Sequence, residues 1–178
     1  MKRLVFFPLM LALAVQVHCQ SLRSTSGYVR FFSSALIEDI TAENEKATAI
    51  FDPTSGEAVF LIPINGFEFR KSLMKVHFNE NYLESDKFPE AYFHGKISGY
   101  SPGISQSNAV AEGELTIHGV TQPVKIRGAI RDQGGKIEIQ AVFQVVLEDY
   151  HIEIPRLMFQ NIAEEVEVSI KFEFKRQK

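Results

Sequence analysis

Cysteine is nearly missing from this 178-residue chain: the only one is Cys19. A single thiol so close to the start forms no internal disulfide and gives no metal or thiol motif. Basic charge is not in excess either. There are 19 Lys and Arg against 22 Asp and Glu, a net charge of -3. No run of Lys and Arg is present, which argues against nucleic acid as a partner. The same lack argues against electrostatic docking on anionic lipid. Catalytic signatures are few as well. The spacing Gly99-Tyr100-Ser101-Pro102-Gly103 matches Gly-x-Ser-x-Gly, but Ser101-Pro102-Gly103 marks a turn between strand-like runs and not the strand-to-helix elbow of a nucleophile, and there is no His-x-x-x-His pair. The glycine pair Gly134-Gly135 leads into a strand-like run, not into a helix that could cradle phosphate. Internal repeats and low-complexity segments are absent.

What remains is an ordinary globular composition, 45% hydrophobic and 23% charged. The length suits one domain. Residues 1–19 form an expected secretory signal peptide. Lys2 and Arg3 are its charged start, and residues 4–17 are an apolar run too short to span a membrane comfortably. Val17 and Cys19 are small enough to precede a cut, so the mature chain starts near Gln20. A rival reading lipidates Cys19, but the preceding His18 is not the small residue that lipidation wants. The mature domain, residues 21–178, is expected in the periplasm or secreted.

Period-two alternation dominates that domain, and it marks strands with one apolar and one wet face. Residues 21–34 form a first strand. Residues 35–45 are more acidic and predict a short helical turn or an irregular crossing. Residues 46–51 and 57–65 are strands around the turn Asp52-Pro53-Thr54-Ser55-Gly56. Pro63 suggests a bend or an edge. Residues 69–83 change to helical period through Phe69, Leu73, Val76 and Leu83, giving one helix. If that helix caps a barrel mouth, Phe69, Leu73, Met74 and Phe78 would touch a guest.

Strands then follow to the end. Residues 108–118 and 123–132 predict a hairpin whose loop holds Gly119 and Pro123. Residues 136–148 and 165–175 alternate best, with residues 150–162 irregular between them. Seven or eight antiparallel strands with one apolar face each must close as a sandwich or as a barrel. Scattered aromatics and short loops disfavour a transmembrane barrel, which needs aromatic girdles and long outer loops.

Few side chains suggest chemistry. His94 and His118 share parity with polar neighbours and are expected to face outward. His77 has only Glu80 or Asn81 one turn away. Asp132 and Asp149 are expected as solvated carboxylates at strand ends, and Ser55 as a turn residue.

Gly113-Glu114-Leu115-Thr116-Ile117-His118-Gly119-Val120-Thr121-Gln122-Pro123-Val124 resembles the hairpin signature of the YceI-like family of lipocalin-like, polyisoprenoid-binding proteins. Phe51-Asp52-Pro53 with Ser55-Gly56 resembles its second-strand turn, and Phe60-x-Ile62-x-Ile64 the strand that follows. The segment from His77 to Pro89 resembles its helix-to-loop passage, with Val76-His77-Phe78 where an Asp-His-Leu type sequence is usual.

The resemblance implies an all-β fold: an eight-stranded antiparallel lipocalin-like barrel with one helix. It also implies an exported bacterial protein, a homodimer, no catalytic residues and no cofactor. The implied ligand is an isoprenoid or fatty acyl chain inside the barrel. Inward parity then selects Phe60, Ile62, Phe93, Leu115, Ile117 and Val124 as lining residues, with Ile126, Phe143, Val145, Val168, Ile170 and Phe172. Two alternatives remain: a ligand-free interaction or envelope-stress protein whose barrel is filled by side chains, and a metal-dependent hydrolase using His77.

Overall fold

The computed structural model describes residues 21–34, 39–154 and 163–176. The leader with Cys19 and most of the irregular stretch 150–162, including Pro155, lie outside the described residues.

The chain folds mostly as strands: β1 (Leu22–Ser33), β2 (Ile40–Asn44), β3 (Thr48–Phe51), β4 (Glu57–Pro63), β5 (Glu68–Phe69), β6 (Glu90–Ser98), β7 (Ser107–Ile117), β8 (Val120–Gln133), β9 (Lys136–Val146) and β10 (Glu165–Lys175). One short helix, α1 (Ser72–His77), runs into a π-helical turn at Phe78–Tyr82. Strands β1, β3, β4, β6, β7, β8, β9 and β10 pair antiparallel around a ring, closed where β10 returns to β1. The expected eight-stranded barrel with one helix is therefore the fold. The short strands β2 and β5 continue the wall beyond β3 and β4 at one end, β2 against the second half of β1 and β5 against β2.

Several local expectations need correction. The stretch 35–45 is not a helical turn in its described part; residues 40–44 are strand β2. Buried Asn44 breaks the line between β2 and β3. Its amide donates to the Pro63 carbonyl at 2.7 Å, and its side-chain oxygen accepts from Lys46 N–H at 2.8 Å. The helix starts later than its apolar period suggests, because Phe69 pairs with Ala42 as part of β5. In the hairpin, Ile117 faces Val120 directly, so the loop is only His118-Gly119. Both have positive φ, 51° and 73°, the type I′ geometry that matches strand twist. Pro123 lies within β8, opposite Glu114. That stretch of β8 pairs with β7 alone, since the β8–β9 ladder begins at Gly128, and an unpaired edge tolerates proline.

The Asp52 turn forms as expected: the carboxylate accepts from Thr54 N–H at 2.8 Å and Ser55 Oγ at 2.9 Å.

The interior divides along the barrel axis. In one half, Phe51, Ile130, Ile137, Phe172 and Phe174 are fully buried and fill the space. Each contributes roughly 1.5–3 kcal/mol. Asp132 lies beneath them and is not solvated; it is buried. Its carboxylate accepts from Tyr100 OH at 2.9 Å, from Gly103 N–H at 3.0 Å and from the Arg176 guanidinium. A buried carboxylate needs such partners, and Arg176 comes from beyond the last strand. Burial, then the Asp132 charge, pushes the Tyr100 hydroxyl above its ordinary pKa.

On β1, Gly27 lets Phe172 lie against the wall. A Cβ there would stand 2.5 Å from the Phe172 ring and 2.2 Å from the Ala47 carbonyl oxygen. Gly27→Ala is expected to cost about 1–3 kcal/mol by overpacking, read as a lower urea midpoint with an unchanged slope. An unchanged midpoint would contradict this packing.

Candidate functional site

The other half of the barrel is hollow. A cavity of about 470 Å³ lies there, walled almost wholly by aliphatic and phenylalanine side chains. Strand alternation supplies most of the wall, and α1 with its π turn supplies one side. Leu73, Met74 and His77 of α1 and Phe78 of the π turn all line the cavity. Four rings hold this helix to the strands. Phe78 stacks on Phe31 with centroids 5.4 Å apart, and meets Phe67 and Phe69 at 5.5 and 5.0 Å. Such pairs add about 0.5–1.5 kcal/mol each beyond area burial. Leu73 is 63% exposed although it lines the cavity, so it stands on the rim. A second, smaller void of about 70 Å³ adjoins the first and shares Ile62, Leu115, Phe143 and Ile170 with it.

The residues selected by inward parity fall into three groups. Ile62, Leu115, Ile117, Phe143, Val145, Val168 and Ile170 line the larger cavity. Phe60, Phe93, Ile126 and Phe172 line only the smaller void. Val124 is half-buried against the core and lines neither. Parity missed other wall residues, notably Phe31, Ser33, Phe67, Tyr82, Leu83 and Ile152. Most of these lie in turns or irregular segments, where alternation does not tell facing. The larger cavity thus has no carboxylate among its described lining residues; Ser33, Tyr82, Lys71 and His77 are its polar members. Burial pushes the Tyr82 hydroxyl above its ordinary pKa.

The histidines separate clearly. His94 is exposed on β6, as its parity suggests. His118 does not face solvent: its ring packs edge-on to Phe88 at 4.6 Å. Its Nδ1 lies 3.2 Å from the Tyr150 carbonyl oxygen and its Nε2 3.2 Å from Glu84 Oε2. Both partners are hydrogen-bond acceptors. This clasp ties the β7–β8 turn to the exit loop of the helix and to the 3-10 turn at Glu148–Tyr150. Glu84, His118 and His151 are the described non-glycine residues with positive φ. All three gather here, which marks the clasp as locally strained. Among the described residues, no three His, Cys, Asp or Glu side chains form a group that could hold a metal ion.

A family model described as "YceI-like domain" matches residues 21–174. No curated protein matches the chain in sequence. Solved structures with the same fold are distant in sequence. One is the polyisoprenoid binding domain from Saccharophagus degradans implicated in plant cell wall breakdown. It is 18% identical, covers 88% of this chain and 98% of its own, and has a TM-score of 0.75. Burkholderia cenocepacia BcnA is 18% identical over 83% of this chain and 95% of its own, with a TM-score of 0.70. The Campylobacter jejuni YCEI protein is 16% identical over 99% and 94%, with a TM-score of 0.55.

The Lys87 ammonium, then the His118 ring, hold the Glu84 carboxyl below its ordinary pKa. A carboxyl depressed on folding contributes stability above its unfolded pKa of about 4.3 and loses it as pH falls through the folded value. Glu84→Gln is therefore expected to unfold at lower urea than the parent at pH 6, with the gap closing as the pH is taken down through the carboxylate range. A gap of constant size down to pH 2.5 would refute the clasp.

Proposed function

This chain belongs to the YceI-like family, and from that premise we propose that it is an exported, non-catalytic protein that holds an apolar, chain-like molecule inside its barrel. The ligand is of the isoprenoid or fatty acyl type. The observation that carries this reading is the cavity of about 470 Å³ with its aliphatic and aromatic wall. That volume falls within the roughly 300–1,000 Å³ of small-molecule sites. Each methylene taken from water is worth about 0.8 kcal/mol, so a dozen yield roughly 10 kcal/mol. Association itself costs about 4–15 kcal/mol; net affinity therefore depends on chain length and fit. The polyisoprenoid-binding neighbour from Saccharophagus degradans supports the same class of guest.

The amino-terminal leader supports export. A homodimer is the assembly that the resemblance implies. The outer face of β3, β4 and β6 supports it, since Ile50, Val59 and Tyr92 are 49%, 38% and 42% exposed there on adjoining strands. A barrel filled only by side chains suits the closed half, where Phe51, Phe172 and Phe174 leave no space, and not the half beside α1.

Protein purified from the exported fraction, extracted with organic solvent and measured by mass spectrometry, is expected to release an isoprenoid or acyl compound in near-stoichiometric amount. Repeated preparations that release none, and that fail to take up added isoprenoids or fatty acids, would remove the proposal.

A further inference from the structure

We propose that the ligand enters and leaves the hollow half through the barrel wall, between β8 and β9, and that the turn at residues 147–152 is the gate. The inference rests on the reading above that an apolar chain is held in the barrel.

The wall is incomplete on that side. The β8–β9 ladder runs from Gln133 opposite Lys136 to Gly128 opposite Ala141 and stops there. Both strands continue, β8 back to Val120 and β9 on to Val146. Their ladders on the far sides continue with them. β7 pairs with β8 as far as Ile117 and Val120, and β10 pairs with β9 as far as Glu165 and Val146. A seam therefore opens between β8 and β9 alone of these three neighbouring pairs. The ladder holds where Ile130 and Ile137 fill the interior, and it is missing where the interior is hollow. Leu115 and Ile117 of β7 and Phe143 and Val145 of β9 line the larger cavity, but no residue of β8 between them does.

The sequence keeps the seam from zipping. Ile117 and Val120 close a two-residue turn. Alternation then aims the backbone groups of Thr121, Pro123, Lys125 and Arg127 away from β7, toward β9. Pro123 brings no donor to that edge, and proline and lysine both discourage a neighbouring strand.

A turn spans the wide end instead. β9 leads into the 3-10 turn Glu148–Tyr150, which packs on β8. Tyr150 and Ile152 are buried, and Leu147 and Ile152 line the cavity. Among the described residues no backbone hydrogen bond joins this turn to β8. Its ties are side-chain ones: Gln122 Nε2 donates to the Asp149 carbonyl at 2.9 Å, and His118 Nδ1 lies 3.2 Å from the Tyr150 carbonyl oxygen. Releasing them opens the seam without breaking a ladder.

The test joins the gate to β8. Gln122→Cys with Asp149→Cys, in a chain that also carries Cys19→Ala, is linked by a short reducible bis-methanethiosulfonate. Stopped-flow mixing with a fluorescent fatty acid reads association, and displacement by unlabelled acid reads dissociation. Both rates are expected to fall on the order of tenfold on linking and to recover on reduction, with Kd moving much less than either rate. Gln122→Ala, which removes one tie, should raise both rates about fivefold. A control link, Glu68→Cys with Lys75→Cys, pins α1 to β5 where the two side chains pair at 2.8 Å, and should leave the rates near those of the parent.

Unchanged rates in the seam-linked protein, or in Gln122→Ala, would overturn the route. Equal slowing by both links would overturn it too, and slowing by the α1 link alone would move entry to the rim beside Leu73. Each of these results leaves apolar binding intact. A parent that binds neither fatty acids nor isoprenoids would overturn that reading and the route with it.

Discussion

The ladder between β1 and β10 is the contact on which the rest of this structure depends. It pairs the first and last strands from Ser24 with Phe174 to Phe32 with Glu167. Without it the sheet has two open edges and an apolar face with nothing to cover it. Closure removes the edges and turns that face into an interior. The ladder spans both halves of the barrel. Near one end it brings Gly27 beside Phe172, which the closed half needs. Near the other it brings Phe31 opposite Val168, two residues that wall the cavity.

An eight-stranded barrel is just wide enough to be filled by side chains or to hold one small ligand. This chain does one in each half. The difference lies in side-chain size at corresponding inward positions. Toward the closed end β10 offers Phe172 and Phe174, and β3 offers Phe51. Toward the open end β10 offers Val166, Val168 and Ile170, which leave room. The large rings of the open end come instead from Phe31, Phe67, Phe69 and Phe78. They pack on one another at one side and do not fill the centre. The cavity is thus bounded by rings at the floor and at the helix, with aliphatic residues between.

The strands were legible because alternation is a direct image of a half-wet sheet: Val166, Val168, Ile170, Phe172 and Phe174 all point inward on β10. The family was legible from the wording of one hairpin. Features set by partners far away in sequence were not. Asp132 resembles any strand-end carboxylate until Arg176 and Tyr100 close on it. His118 has polar neighbours along its strand, but its surroundings are Glu84, Phe88 and Tyr150. Strand β2 carries little alternation in Ile40-Thr41-Ala42-Glu43-Asn44 and is held by pairing with β1. Cavity walls drawn from parity were incomplete for the same reason, since Phe67 and Ile152 stand in segments with no period.

The central claim is that an apolar chain lies along the hollow half of the barrel, with one end inside it. Crystals grown with hexadecanoic acid brominated at its terminal carbon locate that end directly by the anomalous signal of bromine. The account predicts one bromine peak inside the barrel, among the aliphatic and phenylalanine side chains that wall the cavity of about 470 Å³. A bromine only on the outer face of the sheet, or an interior closed by side chains with no bromine at all, would contradict it.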